Sequence, residues 1–80
     1  MTKRERTKLI KKARDLMSEA LEMLTEANEA EQESLDNWAE NLQESDRYYA
    51  AQERADAIDN VQSDLERLIE IVNDVIEDNL

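Results

Sequence analysis

Pairs of carboxylates recur at helical spacing along this chain: Glu19 with Glu22, Glu26 with Glu29, and Asp56 with Asp59. Residues three apart share a helix face. Two such pairs on facing helices can hold Mg²⁺ beside a nucleotide's phosphates, because a hard cation takes oxygen ligands. Glu26, Glu29, Asp56 and Asp59 would be that ligand set if the two halves of the chain fold together. The pattern also has a plainer source. Of 80 residues, 21 are Asp or Glu, so such pairs arise on solvated faces without a metal. No Lys or Arg lies between residues 15 and 46 to bind a phosphate. Without His the commonest general base and zinc ligand is missing, and without Cys there is no disulfide, thiolate site or cysteine nucleophile. The chain reads as non-enzymatic, with no catalytic residue, no metal site and no cofactor.

The elements that must position these carboxylates are helices. Gly and Pro are absent, while Ala, Leu, Glu, Lys and Arg abound. In the first half, Leu9, Ala13, Leu16, Ala20, Met23, Ala27 and Ala30 follow a spacing of four and three, a heptad seam, with Ile10, Met17 and Leu24 beside it. In the second half, Ile58, Val61, Leu65, Leu68, Val72 and Val75 repeat the spacing, widened by Ile69 and Ile76. Between them the pattern fails. From Ser34 to Asp46 the large apolar residues are Leu35, Trp38 and Leu42, set among Asn37, Asn41, Gln43, Ser45 and Asp46, types that favour turns and caps. Ser45 before Asp46 reads as a helix N-cap with an acid in the first turn.

The expectation is an all-α single domain over 1–80: helices of about 3–36 and 46–79 joined by a turn near 37–45, folded as an antiparallel hairpin. Folding back around residue 41 pairs positions whose numbers sum to about 82. Leu16 then faces Leu65 and Leu68, Met23 faces Ile58, and Ala27 and Ala30 meet Ala55 and Ala51. Trp38 and Leu42 cap the turn end, and of Tyr48 and Tyr49 one points inward and the other outward. Ile10, Met17, Leu24, Ile69 and Ile76 stay partly wet in a monomer, which predicts a homodimer or higher oligomer that covers them as a four-helix bundle.

Charge is unevenly placed. Residues 1–14 carry Lys3, Arg4, Arg6, Lys8, Lys11, Lys12 and Arg14 against Glu5; residues 15–46 carry acids only; the whole chain has a net charge of −11. The hairpin sets the basic run beside Asp64, Glu66, Glu70, Asp74, Glu77 and Asp78, which predicts cross-helix ion pairs there. Read alone, the run KRERTKLIKKAR could be a nucleic-acid arm or a membrane-surface helix, but the overall charge repels phosphate and no aromatic lies in it. No apolar run is long enough for a signal core or a bilayer span, which points to a soluble, cytoplasmic protein with no membrane and no direct nucleic-acid contact.

The stretch DNWAENLQESDR, Asp36 to Arg47, resembles a group of small acidic helical proteins of phages and prophages of Gram-positive bacteria, whose central pattern is D-N-M-P-E-N-L-Q-G-S-E-R. Asp36, Asn37, Glu40, Asn41, Leu42, Gln43, Ser45 and Arg47 match; Trp38, Ala39 and Glu44 depart from the pattern. The resemblance covers about residues 31–70 and implies a turn at 38–45 and a phage context, with no catalytic residues to carry over. Phage proteins that block restriction, CRISPR or other DNA-binding machinery often imitate DNA phosphates with carboxylates, by analogy. The candidate partner-binding face is Glu19, Glu22, Glu26, Glu29, Glu33, Asp36, Glu40 and Glu44, with Trp38 and Tyr49 as turn-end aromatics and a host protein with a basic groove as the partner. The expected function is a non-enzymatic accessory protein acting by protein–protein contact, in its sharper form a DNA mimic. The alternatives are a structural or assembly bundle whose acids only solvate it, and, third, a Mg²⁺-dependent enzyme like the nucleotide pyrophosphohydrolases.

Overall fold

The computed structural model describes residues 1–38 and 45–78. Two helices account for nearly all of them: α1, Lys3–Asp36, and α2, Asp46–Asp78. Their bounds are those expected from the sequence; position 79 and the centre of the expected turn, 39–44, lie outside the described residues. Thr2 caps α1 in a reciprocal box, its Oγ1 accepting from the Glu5 N–H at 3.1 Å while the Glu5 carboxylate accepts from the Thr2 N–H at 3.4 Å. Ser45 caps α2, its Oγ accepting from the Tyr48 N–H at 3.2 Å.

α1 and α2 pack side by side as an antiparallel hairpin measuring 60 × 17 × 14 Å. Its radius of gyration is 18.0 Å, against about 12 Å for a compact domain of this length. Such a rod has almost no interior. Among the described residues, Leu35, Ala51, Ala55 and Ile76 are the buried apolar ones, with Ala55 at 0 % and Ile76 at 4 % exposure. Near the turn Leu35 packs over Ala51 and Ala55, where small side chains let the helix axes approach.

The rotation of both helices differs from the sequence expectation. The facing positions of α1 are Thr7, Ile10, Arg14, Met17, Leu21, Leu24, Asn28, Glu31 and Leu35, and Trp38 just beyond its end continues them, a spacing of three and four kept over ten positions, all buried or half-buried. Those of α2 are Tyr48, Ala51, Ala55, Ile58, Gln62, Leu65, Ile69, Val72 and Ile76. Ile10, Met17, Leu24, Ile69 and Ile76, expected to be left wet, therefore sit in the seam of the hairpin. Leu16 and Met23, expected inside, are 56 % and 67 % exposed. The reason lies at the ends of the stripes. The alanine-rich stripe runs on from Ala30 into Ser34 and Asn37, whereas the one beside it, polar at Asn28 and Glu31, ends in Leu35 and Trp38 and so is apolar at the turn.

Polar residues of the chosen seam find partners on the opposite helix, in or beside its own seam. Arg14 donates to the Asn73 Oδ1 at 3.1 Å, Asn28 to the Gln62 Oε1 at 3.4 Å, and Arg54 pairs with Glu31 at 3.3 Å. Facing numbers thus sum to about 87 rather than 82. The expected ion pairs between the basic run and the acidic end of α2 are not formed. Among the described residues, Arg14 links the two regions through its bond to Asn73, and the ion pairs are Arg14–Asp15, Arg54–Glu31 and Arg67–Asp64.

The Asn28 Oδ1 is buried without a partner, so this amide is desolvated for one long hydrogen bond. Replacing both members of such a pair with apolar groups removes the penalty and adds apolar burial. The double variant Asn28→Leu, Gln62→Leu is expected to gain about 1–2 kcal/mol in urea unfolding; a lower midpoint would show that the amide pair stabilises the seam.

Candidate interaction surface

The seam organises everything outside it. One residue before a seam position, both helices carry apolar side chains: Leu9 before Ile10, Leu16 before Met17, Ala20 before Leu21, Ala27 before Asn28, Ala57 before Ile58, Val61 before Gln62, Leu68 before Ile69, Ile71 before Val72, and Val75 before Ile76. One residue after a seam position the recurring type is an acid: Asp15, Glu22, Glu29 and Asp36 on α1, and Asp56, Asp59, Glu66, Glu70 and Glu77 on α2, all exposed, with Lys8 and Lys11 in that place only near the start of α1. Each step of one residue turns about 100° around the helix axis. Viewed down the hairpin, antiparallel helices turn in opposite senses. Equal steps away from their facing seams therefore arrive on the same side. The rod has an apolar side and an acidic side, each built from both helices.

On the acidic side Glu22, Glu26 and Glu29 of α1 share a shallow groove with Glu66 of α2, floored by Leu21 and Thr25. Thr25 turns its hydroxyl back to the Leu21 carbonyl at 2.9 Å, which leaves the carboxylates as the exposed polar groups of this groove. Along the outer edge of α1, Asp15, Glu19, Glu22, Glu26, Glu29, Glu33 and Asp36 follow a spacing of four and three, as regular as the seam. The six described members of the candidate face, Glu19, Glu22, Glu26, Glu29, Glu33 and Asp36, thus form one continuous row; Glu40 and Glu44 lie outside the described residues. Asp15, Asp56, Asp59 and Glu66 join this surface although they are not among the candidates; their place one residue after a seam position becomes visible only once the seam is known.

The structure does not gather Glu26, Glu29, Asp56 and Asp59 into a ligand set. Among the described residues no three metal-binding side chains converge. It places Trp38 and Tyr48 over the Leu35, Ala51 and Ala55 cluster, with ring centroids 5.5 Å apart and planes at 65°. Trp38 closes the end of the core, while Tyr49 is 50 % exposed, its ring edge-on to Tyr48 at 6.1 Å. Tyr48 inside and Tyr49 outside is the division that a one-residue step requires. Leu42, the other expected cap, lies outside the described residues. No helix among the described residues is long and apolar enough to cross a membrane.

No protein-family model, curated protein or solved structure matches this chain, so its surface is read from its own residues.

Truncating Trp38 to alanine is expected to cost about 1–3 kcal/mol, below the range for a fully buried aromatic; an unchanged melting temperature would remove its role as a cap. Carboxylates held in rows repel one another, and salt screens this repulsion. Raising NaCl from about 0.02 to 0.5 M, a change that shortens the Debye length several-fold, should raise the melting temperature by several degrees. A fall would mean that attractive pairs outweigh the repulsion.

Proposed function

We propose that this protein is a non-enzymatic interaction protein whose acidic side occupies a basic groove of a partner, in the manner of a nucleic-acid backbone. The observation that carries this reading is the unbroken carboxylate row from Asp15 to Asp36, with no Lys or Arg within it. At 1.5 Å per residue the row is about 32 Å long, with a charge every 5 Å or so. One DNA strand carries a charge about every 3.4 Å of helix axis. The row alone is thus somewhat sparser than a strand, and the acids of α2 on the same side supply the shortfall. Charges fixed on a helical rod also lose little conformational freedom on docking beyond their own rotamers, which favours binding. Association should be fast and salt-sensitive.

The central motif's resemblance to phage and prophage proteins gives this reading its setting: an accessory protein that blocks a nucleic-acid-binding protein of its bacterial host. The second reading, a structural or assembly protein whose acids only solvate it, draws on the apolar side of the rod.

The deciding experiment is capture from bacterial lysate followed by elution with duplex DNA. A basic nucleic-acid-binding protein should be retained and then displaced by DNA. Reversing Glu26, Glu29, Glu33 and Asp36 to Lys should weaken that binding by at least about a hundredfold, about 2.7 kcal/mol or more. Retention unaffected by DNA and by charge reversal would reject the mimic and leave the structural reading.

A further inference from the structure

The apolar side of the rod is the least explained feature of the hairpin. Leu9, Leu16 and Met23 on α1 and Val61, Leu68 and Ile71 on α2 are all exposed, and all lie on this one side. Their three–four repeat, filled in by Ala13, Ala20 and Ala27, is the same pattern that joins α1 to α2. Each helix therefore carries two helix-pairing seams, and the hairpin uses one. We infer that the second seam is the interface with a second copy of this chain, which closes a four-helix bundle.

Size supports that occupant. Residues 9–30 run for about 32 Å, and two helices side by side make the face about 20 Å wide. Two such faces pressed together remove roughly 600 Å² per copy, about 1,200 Å² in all, the lower bound of a standard stable interface. The chain exposes 6298 Å², where a compact monomer of 9.3 kDa would expose about 5,000 Å². Pairing recovers roughly 600 Å² of this per copy, about half of the excess.

Shape and charge agree. The repeat demands helices, and its two-helix width demands a pair of them with matching length; a second hairpin meets both conditions. At its ends the stripe runs into Arg6 on α1 and Arg54 on α2, and it includes Asp64 and Asp78. A rim of mixed sign complements itself, where a rim of one sign would call for a partner of the other. The acidic sides, which would repel one another, are kept on the far surfaces. This pairing does not rest on the acidic-side reading, and charge reversal at Glu26, Glu29, Glu33 and Asp36 leaves its residues untouched.

Sedimentation equilibrium at about 200 µM, where a concentration-linked dimer is favoured, should give twice the 9.3 kDa chain mass. The double variant Leu16→Glu, Leu68→Glu should return the single-chain mass. Because that variant can also lose its fold, maleimide labelling of a milder one decides the face. Leu16→Cys should label at least about tenfold more slowly at high than at low concentration, while Glu26→Cys labels equally fast at both. A single-chain mass at the high concentration, or equal labelling of Leu16→Cys and Glu26→Cys there, would overturn the inference.

Discussion

How far each helix turns about its own axis when it meets the other determines which residues can do anything else. A helix with one apolar stripe has no choice in this. Here two stripes lie one residue apart on each helix, and the hairpin closes on the one containing Arg14, Asn28, Glu31, Gln62 and Leu35. That choice is costly in polar desolvation, shown by the unpartnered Asn28 Oδ1. It is offset where the seam reaches the turn, by Leu35 against two buried alanines and by the edge-on Trp38 and Tyr48. Polar pairs inside a helical seam also hold its alignment, because sliding one helix past the other would orphan each of them at once.

From that rotation the rest is geometry. Most of the residues just before the seam are apolar and the acids recur just after it, in both helices, and antiparallel packing gathers each kind on its own side. A single-residue change of register about the axis would mix the two. The separation is therefore a property of the pair and not of either helix, and neither helix taken alone would display a two-sided rod.

The helices themselves are legible in the sequence, because no Gly or Pro interrupts them and Ser45 marks the start of the second. The exposed carboxylate row is legible for the same reason: a helix makes any three–four repeat a stripe. The seam is not. Counting apolar side chains favours Leu9, Leu16 and Met23, and the polar residues at Arg14, Asn28 and Glu31 disguise the stripe that pairs. Their partners Asn73, Gln62 and Arg54 are distant in sequence, so compensation across the seam is invisible until the chain is folded. Two local signals do exist. The stripe through Ile10 and Met17 extends to Leu35 and Trp38, and Thr2 with Glu5 has the spacing of a capping box.

Opposite placement of the two sides has a consequence for valency. If copies join through their apolar sides and the acidic side docks as proposed, the acidic sides point away from each other and one bundle offers two equivalent docking surfaces. Such a body links two partner molecules when it is scarce and occupies them singly when it is abundant. Its effect on a target would then depend on the ratio of the two proteins as well as on their affinity.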